Sequence, residues 1–248
     1  MRNRILVING VRSDSFGFKV NVNDFDRITP SQSASTVSEY GIYKKDTKRL
    51  IVKTNYSIDI PKATVEKIDV IKRWLTQENV PFSDYSLDRE CTAYKIVITD
   101  SNRMIKNYYT INFTVEKSSV YYAKEVKTVT NNGATLTVEY TKGTVETAPR
   151  FSFTASSALK VIALSHPNGK VFQIGNNDAQ TPIIPAGSAV TIDMANGKVL
   201  IGGNRRIYAT GLSEEFTLGI GTTRLGISVQ PISAPIPRIT MSYREAFL

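Results

Sequence analysis

Short runs of alternating apolar and polar residues dominate the chain, and Gly, Asn, Asp or Pro bounds most of them. Alternation with a period of two is typical of strands with one buried face. In the first half the runs are 5–8, 16–22, 50–60, 92–99 and 108–115. This part of the chain is therefore predicted to form an antiparallel sheet.

The connections between these runs carry their own signals. Asn9-Gly10 ends the first run with turn chemistry, and the runs 5–8 and 16–22 are predicted to form a strand pair. Asp100-Ser101-Asn102 is turn chemistry and is predicted to join 92–99 to 108–115. Residues 29–39 are polar and rich in hydroxyl groups, without periodicity, and are predicted to be a mobile loop.

One helix is predicted, beginning at Pro61 and ending near Leu75. Proline suits a first helical turn because its missing N–H would have no partner there. Val65, Ile68 and Leu75 recur at helical spacing, which gives one apolar face. We expect residues 62–76 to pack on the sheet as part of the core.

The second half contains short predicted strands at the spacing of an antiparallel sandwich, with glycines at the turns between them. These strands are 136–140, 150–154, 159–164, 170–174, 190–193, 198–201, 215–218 and 224–229. Three prolines in residues 231–237 predict a stiff extended linker. A last apolar strand, 239–243, follows it.

The character of the runs changes at the polar segment 128–134, which contains an Asn-Gly turn. We therefore predict a mostly β (α+β) chain with two domains. The first comprises residues 1–132 and is completed by residues 238–248, which return to it. The second comprises residues 133–237.

Charge raises the question of nucleic acid, since the chain of 248 residues has a formal charge of +9. The excess is spread thinly: residues 1–132 carry 21 Lys and Arg against 15 Asp and Glu, and residues 133–248 carry 10 against 7. Lys44, Lys45, Lys48 and Arg49 form a local cluster without interleaved aromatic residues. That pattern favours a protein interface over a phosphate-binding stripe and predicts no specific nucleic-acid partner.

Candidate chemistry is sparse. His166 is the sole histidine and lies in a turn sequence, while Cys91 is the sole cysteine. They cannot supply a metal site together or a disulfide, and no nucleophile elbow accompanies the histidine. No catalytic, cofactor-binding or metal-ligating residue is assigned, no cofactor is expected, and the chain is predicted not to be an enzyme. No apolar segment is long enough to span a bilayer, so no membrane insertion is expected.

Two further possibilities in the second half are a carboxylate pair for glycoside cleavage and aromatic platforms for a sugar. The carboxylates lie mostly at turns, and no spacing singles out two of them. The aromatic candidates are core residues more often than ligand platforms. The carboxylates are Glu139, Glu146, Asp178, Asp193, Glu214, Glu215 and Glu245, and the aromatic residues are Phe172, Tyr208 and Phe216.

Three stretches carry a resemblance to a known family. Ile8-Asn9-Gly10 is followed by a strand containing Phe16-Gly17-Phe18, and 187–193 is followed by 198–203 with its double glycine. The closing segment 239–248 ends in Phe-Leu. Together these resemble the distal tail protein family of siphophages, often called Dit, diffusely and along the whole chain.

The resemblance implies a first, ring-forming (belt) domain and a galectin-like β-sandwich projecting from it. It implies a homo-hexameric hub in the virion, at the tail tip, made in the host cytoplasm. Its partners would be the tail tube protein, a tail-associated fibre or lysin protein, and receptor-binding proteins involved in host adsorption. The alternative is a carbohydrate-binding or host-receptor-recognition module of the tail tip.

Overall fold

The computed structural model describes residues 5–22, 27–29, 33–34, 47–48, 51–84, 86–105, 108–176, 181–206 and 213–248. The chain divides into two compact units, Met1–Lys124 with Leu248, and Glu125–Phe247. Each unit has its own cluster of buried apolar side chains. Each unit thus has the separate core that an independently packed body requires.

The first unit is built on an antiparallel sheet in the order β2-β1-β8-β9-β10-β7-β3, with β4 also paired to β7 and β11 to β9. A separate pair is formed by β5 and β6. The strands are β1 (Val7–Ile8), β2 (Val11–Arg12), β3 (Lys19–Val22), β4 (Arg27–Thr29), β5 (Ser33–Ala34), β6 (Thr47–Lys48), β7 (Ile51–Pro61), β8 (Glu78–Ser83), β9 (Arg89–Ile105), β10 (Tyr108–Ser118) and β11 (Tyr121–Ala123).

Helix α1 (Val65–Leu75) packs on this sheet through Ile71, Trp74 and Leu75. It begins four residues later than predicted. Thr64 is the N-cap, and its side-chain oxygen accepts a hydrogen bond from the Lys67 N–H at 3.3 Å. Pro61 is instead the last residue of β7, and Lys62 has a positive φ of 51°, so the backbone turns away from the strand before the helix begins.

The turn predictions have different outcomes. Asn9 and Gly10, both with positive φ, form a two-residue turn that joins β1 to β2. The predicted pairing of 5–8 with 16–22 is wrong, because β1 pairs with β2 and β8, and β3 pairs with β7. The predicted turn at Asp100–Asn102 is wrong, because β9 continues to Ile105. A register shift opposite Asn112 and Phe113 accommodates the polar residues within the strand. Of the predicted loop 29–39, β5 is paired to β6, and residues 30–32 and 35–39 lie outside the described residues.

The second unit consists mainly of two antiparallel sheets, ordered β12-β21-β14-β17-β18-β19 and β13-β20-β15-β16. Side chains of both sheets, such as Phe151, Ile192, Leu164 and Leu225, share one core, which makes the unit a β-sandwich. The strands are β12 (Lys127–Thr130), β13 (Thr135–Tyr140), β14 (Arg150–Thr154), β15 (Val161–Ser165), β16 (Val171–Gly175), β17 (Ala189–Asp193), β18 (Lys198–Ile201), β19 (Asn204–Arg206), β20 (Gly221–Gln230), β21 (Thr240–Tyr243) and β22 (Ala246–Phe247).

The segment after β20 differs from the predicted linker. Residues 231–237 contain a turn in which the Ala234 N–H donates to the Pro231 carbonyl at 2.9 Å. Ala234 and Ile236 pack against the sandwich core, and the segment crosses from the sheet of β20 to that of β21. Prolines suit such a crossing because no ladder hydrogen bond is needed there.

Strand β21 consequently lies in the sandwich, whereas the sequence analysis placed all of residues 238–248 with the first domain. Leu248 is grouped with the first unit. β21 pairs with β14 and with β12, which precedes the predicted boundary at residue 132. Predicted strand 215–218 is also absent as a strand: Leu218 forms an isolated bridge with Thr147. Whether 1–132 and 133–237 fold autonomously stays a prediction.

The fold class is confirmed: the described residues are mostly strand, with α1 as their one α-helix. No helix in this part of the chain is long and apolar enough to cross a membrane.

Candidate functional site

The predicted interface cluster falls largely outside the described residues. This applies to Lys44, Lys45 and Arg49, and only the strand position of Lys48, in β6 opposite Ser33, is described. Their role at an interface stays a prediction.

The first unit contains a buried ionic cluster of Tyr56, Asp84, Lys117 and Tyr121, which we call the Lys117 cluster. The Lys117 Nζ donates to Asp84 Oδ2 at 2.6 Å, to Tyr121 Oη at 2.8 Å and to Tyr56 Oη at 3.3 Å. Tyr121 Oη donates to Asp84 Oδ1 at 2.6 Å, and Tyr56 Oη donates to Asp84 Oδ2. The Lys117 and Asp84 side chains are each 2% exposed, so solvent hardly screens the pair.

Burial and pairing oppose each other in this cluster. Burial alone would raise the pKa of the Asp84 carboxyl, but the Lys117 charge and the hydrogen bonds from Lys117, Tyr121 and Tyr56 outweigh it and leave that pKa lowered. Burial and the Asp84 charge raise the pKa of Tyr121, so its hydroxyl stays protonated and able to donate. The arrangement therefore holds the Asp84 carboxylate ionised and the Tyr121 phenol protonated.

Cys91, on β9, is 3% exposed. Burial raises the pKa of its thiol to about 12, against a smaller opposing effect of the Lys117 charge. A thiol is a poor nucleophile in its protonated form. The interpretation of Cys91 as an inert residue agrees with these surroundings.

Sequence analysis missed the Lys117 cluster, although the signal was present. On β10 the inward positions are Ile111, Phe113, Val115 and then Lys117, all at most 1% exposed. A lysine in phase with three apolar residues is a charge on the buried face. Such a charge requires a partner of opposite charge. The sequence alone could not show that this partner is Asp84.

His166 lies in the turn between β15 and β16, and its Nδ1 accepts from the Asn168 N–H at 3.2 Å. The ring lies against Phe216, with centroids 5.2 Å apart. No carboxylate partner for His166 is recorded in the described part of the chain, and no group of three or more His, Cys, Asp or Glu there could hold a metal ion. A hydrolytic triad therefore has no structural support in these residues.

Three of the candidate carboxylates each contact a different partner. Asp193 pairs with Arg150 at 2.9 Å, and Glu245 pairs with Lys127 at 2.7 Å. Glu146 accepts a hydrogen bond from Thr217. These contacts bind strands and turns of the sandwich together, and nothing in them singles out two carboxylates across a cleft. Asp178 lies outside the described residues.

The aromatic candidates for sugar binding are core residues where they are described. Phe172 is 5% exposed and Phe216 is 1% exposed, the latter packed edge-on to Phe151 with centroids 6.0 Å apart. Neither ring offers a face to a ligand in solution. Tyr208 lies outside the described residues.

A C-terminal clasp secures residues 245–247 to the sandwich. Tyr140 Oη accepts from the Ala246 N–H at 2.9 Å and donates to the Val145 carbonyl at 2.6 Å. The Thr144 N–H donates to the Ala246 carbonyl at 2.9 Å. Gly143 is required here, because an added Cβ would lie 2.0 Å from Tyr140 Oη.

Comparison with known proteins gives two findings. Residues 142–247 match the family model described as siphovirus-type tail component, C-terminal domain. In fold, the chain is similar to the crystal structure of the Dit protein of phage SPP1, described as a paradigm of hub adsorption apparatus in phages infecting Gram-positive hosts. That similarity covers 100% of both chains with a TM-score of 0.67 and 12% identity. No curated protein matches the sequence.

The two findings overlap in the sandwich. The family model covers residues 142–247 of the second unit, and the fold similarity extends over both units. The resemblance seen in the sequence is therefore confirmed: residues 142–247 match the model of the siphovirus-type tail component C-terminal domain, and the fold of the whole chain is similar to that of the SPP1 Dit protein.

Proposed function

We propose that this chain is the structural hub at the distal end of a siphophage tail. Six copies form a ring through the first unit. The ring connects the tail tube to the tail-associated fibre or lysin protein and to the receptor-binding apparatus. The observation that carries the proposal is the agreement in fold with the SPP1 Dit protein over the entire length of both chains.

The first unit offers surfaces suited to such assembly. Its open sheet ends in β2 on one side and in β3 and β4 on the other. Terminal strands of an open sheet can pair with a neighbouring copy, and contacts related by rotation close into a ring. The basic segment that contains Lys44, Lys45, Lys48 and Arg49 stays our candidate for contact with a neighbouring copy or the tube.

The proposal is tested by the molar mass of the purified chain in multi-angle light scattering over a range of concentrations, with negative-stain images of the largest species. We expect a six-fold ring with the mass of six chains. A monomer at every concentration that also binds neither the tube protein nor the tail-associated protein would contradict the proposal.

The carbohydrate-binding alternative has less support, since Phe172 and Phe216 are buried. A glycan array decides it: binding that disappears on Tyr208→Ala would establish saccharide recognition. We expect no binding by the isolated chain.

A further inference from the structure

Strand β21 lies between two strands that come much earlier in the chain. It pairs with β12 along one side and with β14 along the other. Ile239, Met241 and Tyr243 belong to the sandwich core and are at most 5% exposed, whereas Thr240 and Ser242 are half-buried. The C-terminal strand therefore has to enter the sheet in one particular register with both neighbours.

Alternation of apolar and polar residues does not select that register completely. A shift of one residue would turn the apolar side chains outward, but a shift of two residues would return apolar side chains to the core face. The segment before β21 has length to follow such a shift, because it contains the turn between Pro231 and Ala234. Residues 244 and 245 separate β21 from β22, so the contacts of β22 do not by themselves fix β21. A further contact must choose between registers that differ by two residues.

The side chain of Asn131 provides such a contact. Its Oδ1 accepts from the Ile239 N–H at 2.7 Å, and its Nδ2 donates to the Pro237 carbonyl at 3.1 Å. The backbone N–H of Asn131 donates to the Ile239 carbonyl at 3.1 Å. Its Nδ2 also donates to the Gly133 carbonyl at 2.8 Å, within the turn that leads to β13. One residue thus defines where the chain lies immediately before β21.

Asn131 holds the ends of two crossings between the sheets. β12 and β21 belong to one sheet of the sandwich, and β13 and β20 belong to the other. The chain leaves the first of these sheets after β12, at Gly133, and returns to it before β21, at residues 237–239. A clamp on the end of the second crossing fixes its span. That span determines which residue of β21 comes to lie opposite each residue of β12.

We infer that Asn131 is the positioning residue that sets the register of β21 between β12 and β14. The contacts of Asn131 on which the inference rests lie within residues 125–247, and the inference does not depend on the proposed hub function.

Cysteine pairs across β12 and β21 measure the register directly. Thr128 and Ser242 are register partners, and Cα atoms of such partners lie about 4.5–5.5 Å apart, within the range of a disulfide. Thr240 is a diagonal neighbour of Thr128, at a Cα distance of about 7–8 Å that a disulfide does not span. A shift of two residues would bring Thr240 opposite Thr128. Thr128→Cys with Ser242→Cys therefore reports the native register, and Thr128→Cys with Thr240→Cys reports the shifted one.

The test places each cysteine pair in the otherwise unchanged full chain and in Asn131→Ala, with glutathione disulfide as the oxidant. Cys91 is 3% exposed and is common to all these chains. We expect the yield of the 128–240 bridge to rise about tenfold or more in Asn131→Ala, because the three side-chain hydrogen bonds of Asn131 are lost. Asn132→Ala, at the exposed neighbouring asparagine, is the matched control and should leave that yield unchanged.

Tyr140→Phe separates the register from a general loosening of the C-terminal segment. It removes the hydroxyl that accepts from the Ala246 N–H and leaves Asn131 in place. We expect no increase of the 128–240 bridge in this variant. An increase equal to that in Asn131→Ala would overturn the inference, because the register would then depend on the overall hold on the C-terminal segment.

Two other outcomes would also overturn the inference. One is a 128–242 bridge that forms in Asn131→Ala as in the parent, without any 128–240 bridge. The other is loss of both bridges in a chain whose circular dichroism shows that it is folded, since β21 would then detach instead of shifting. Asn131→Leu keeps the volume of the side chain and removes the same hydrogen bonds, so it repeats the test if Asn131→Ala does not fold.

Discussion

Replacing Lys117 by methionine should destabilise the first unit strongly. The substitution keeps the length of the side chain and removes the ammonium 2.6 Å from Asp84. Both side chains are 2% exposed, so the orphaned carboxylate has almost no access to water. Removing one partner of a buried pair costs about 3–5 kcal/mol. With a urea dependence of ~2 kcal/mol per M, the unfolding midpoint should fall by about 2 M.

The loss should also depend on pH in a defined direction. In the parent chain the folded-state pKa of Asp84 is lowered, so its contribution to stability is present above about pH 4 and is lost as the pH falls through the folded pKa. In Lys117→Met, burial still raises the pKa of Asp84, but the Lys117 charge that lowered it is gone. The folded pKa then lies above the unfolded one, and the variant loses stability as the pH rises from about 4.

The fluorescence of Trp74 measures the stability in both experiments. Trp74 is the single tryptophan of the chain and is 5% exposed in the core of the first unit, so its fluorescence follows unfolding of that unit. Lys95→Met, an exposed lysine on β9, is the control and should shift stability by less than about 0.5 kcal/mol. Adding Asp84→Leu to Lys117→Met should restore much of the stability.

The reasoning would be refuted by a Lys117→Met chain that lies within about 1 kcal/mol of the parent at pH 7. A deficit that stays the same between pH 7 and pH 4 would refute the assignment of the loss to Asp84.

Three further predictions concern the sandwich and the cysteine. Gly143→Ala should destabilise the second unit by roughly 1–3 kcal/mol in calorimetry, because its Cβ would collide with Tyr140 Oη, whereas Gly219→Ala, which meets no atom within 4 Å, should not. The hydrogen bond from Lys127 to Glu245 raises the pKa of Lys127. The pair therefore stabilises the fold fully below about pH 10.4, and this stabilisation is lost as the pH rises through the higher folded-state pKa of Lys127. In Glu245→Gln this loss of stability at alkaline pH should be absent. Cys91 should react with a thiol reagent at pH 8 only after denaturation, and rapid labelling of the folded chain would contradict its burial.

The sequence predicted the elements that depend on local pattern. Alternation located β7 and most strands of the sandwich, and the Asn9-Gly10 pair located the first turn. Helix α1 was predicted with its correct end at Leu75, but Pro61 was a misleading start signal. The helix begins after Thr64 because the Thr64 hydroxyl accepts a hydrogen bond from the Lys67 N–H in the first turn, and a proline side chain has no oxygen that could do so.

Errors arose where tertiary packing outweighed local chemistry. Asp100–Asn102 has the composition of a turn, but the long pairing of β9 with β10 carries the strand through it. Residues 231–237 have the composition of a linker, but Ala234 and Ile236 pack against the core of the sandwich. The Lys117 cluster joins Tyr56 to a carboxylate 28 residues away in sequence, a distance over which no periodicity carries information.

The pairing of β12 with β21 has a consequence for how such chains can diversify. These strands are the first of the sandwich and the one that closes it, and they run side by side from Lys127↔Tyr243 to Thr130↔Thr240. Neighbouring strands lie ~5 Å apart, so the sandwich begins and closes at almost the same place. A body with adjoining ends can be exchanged, enlarged or deleted as a cassette without stretching the polypeptide on either side.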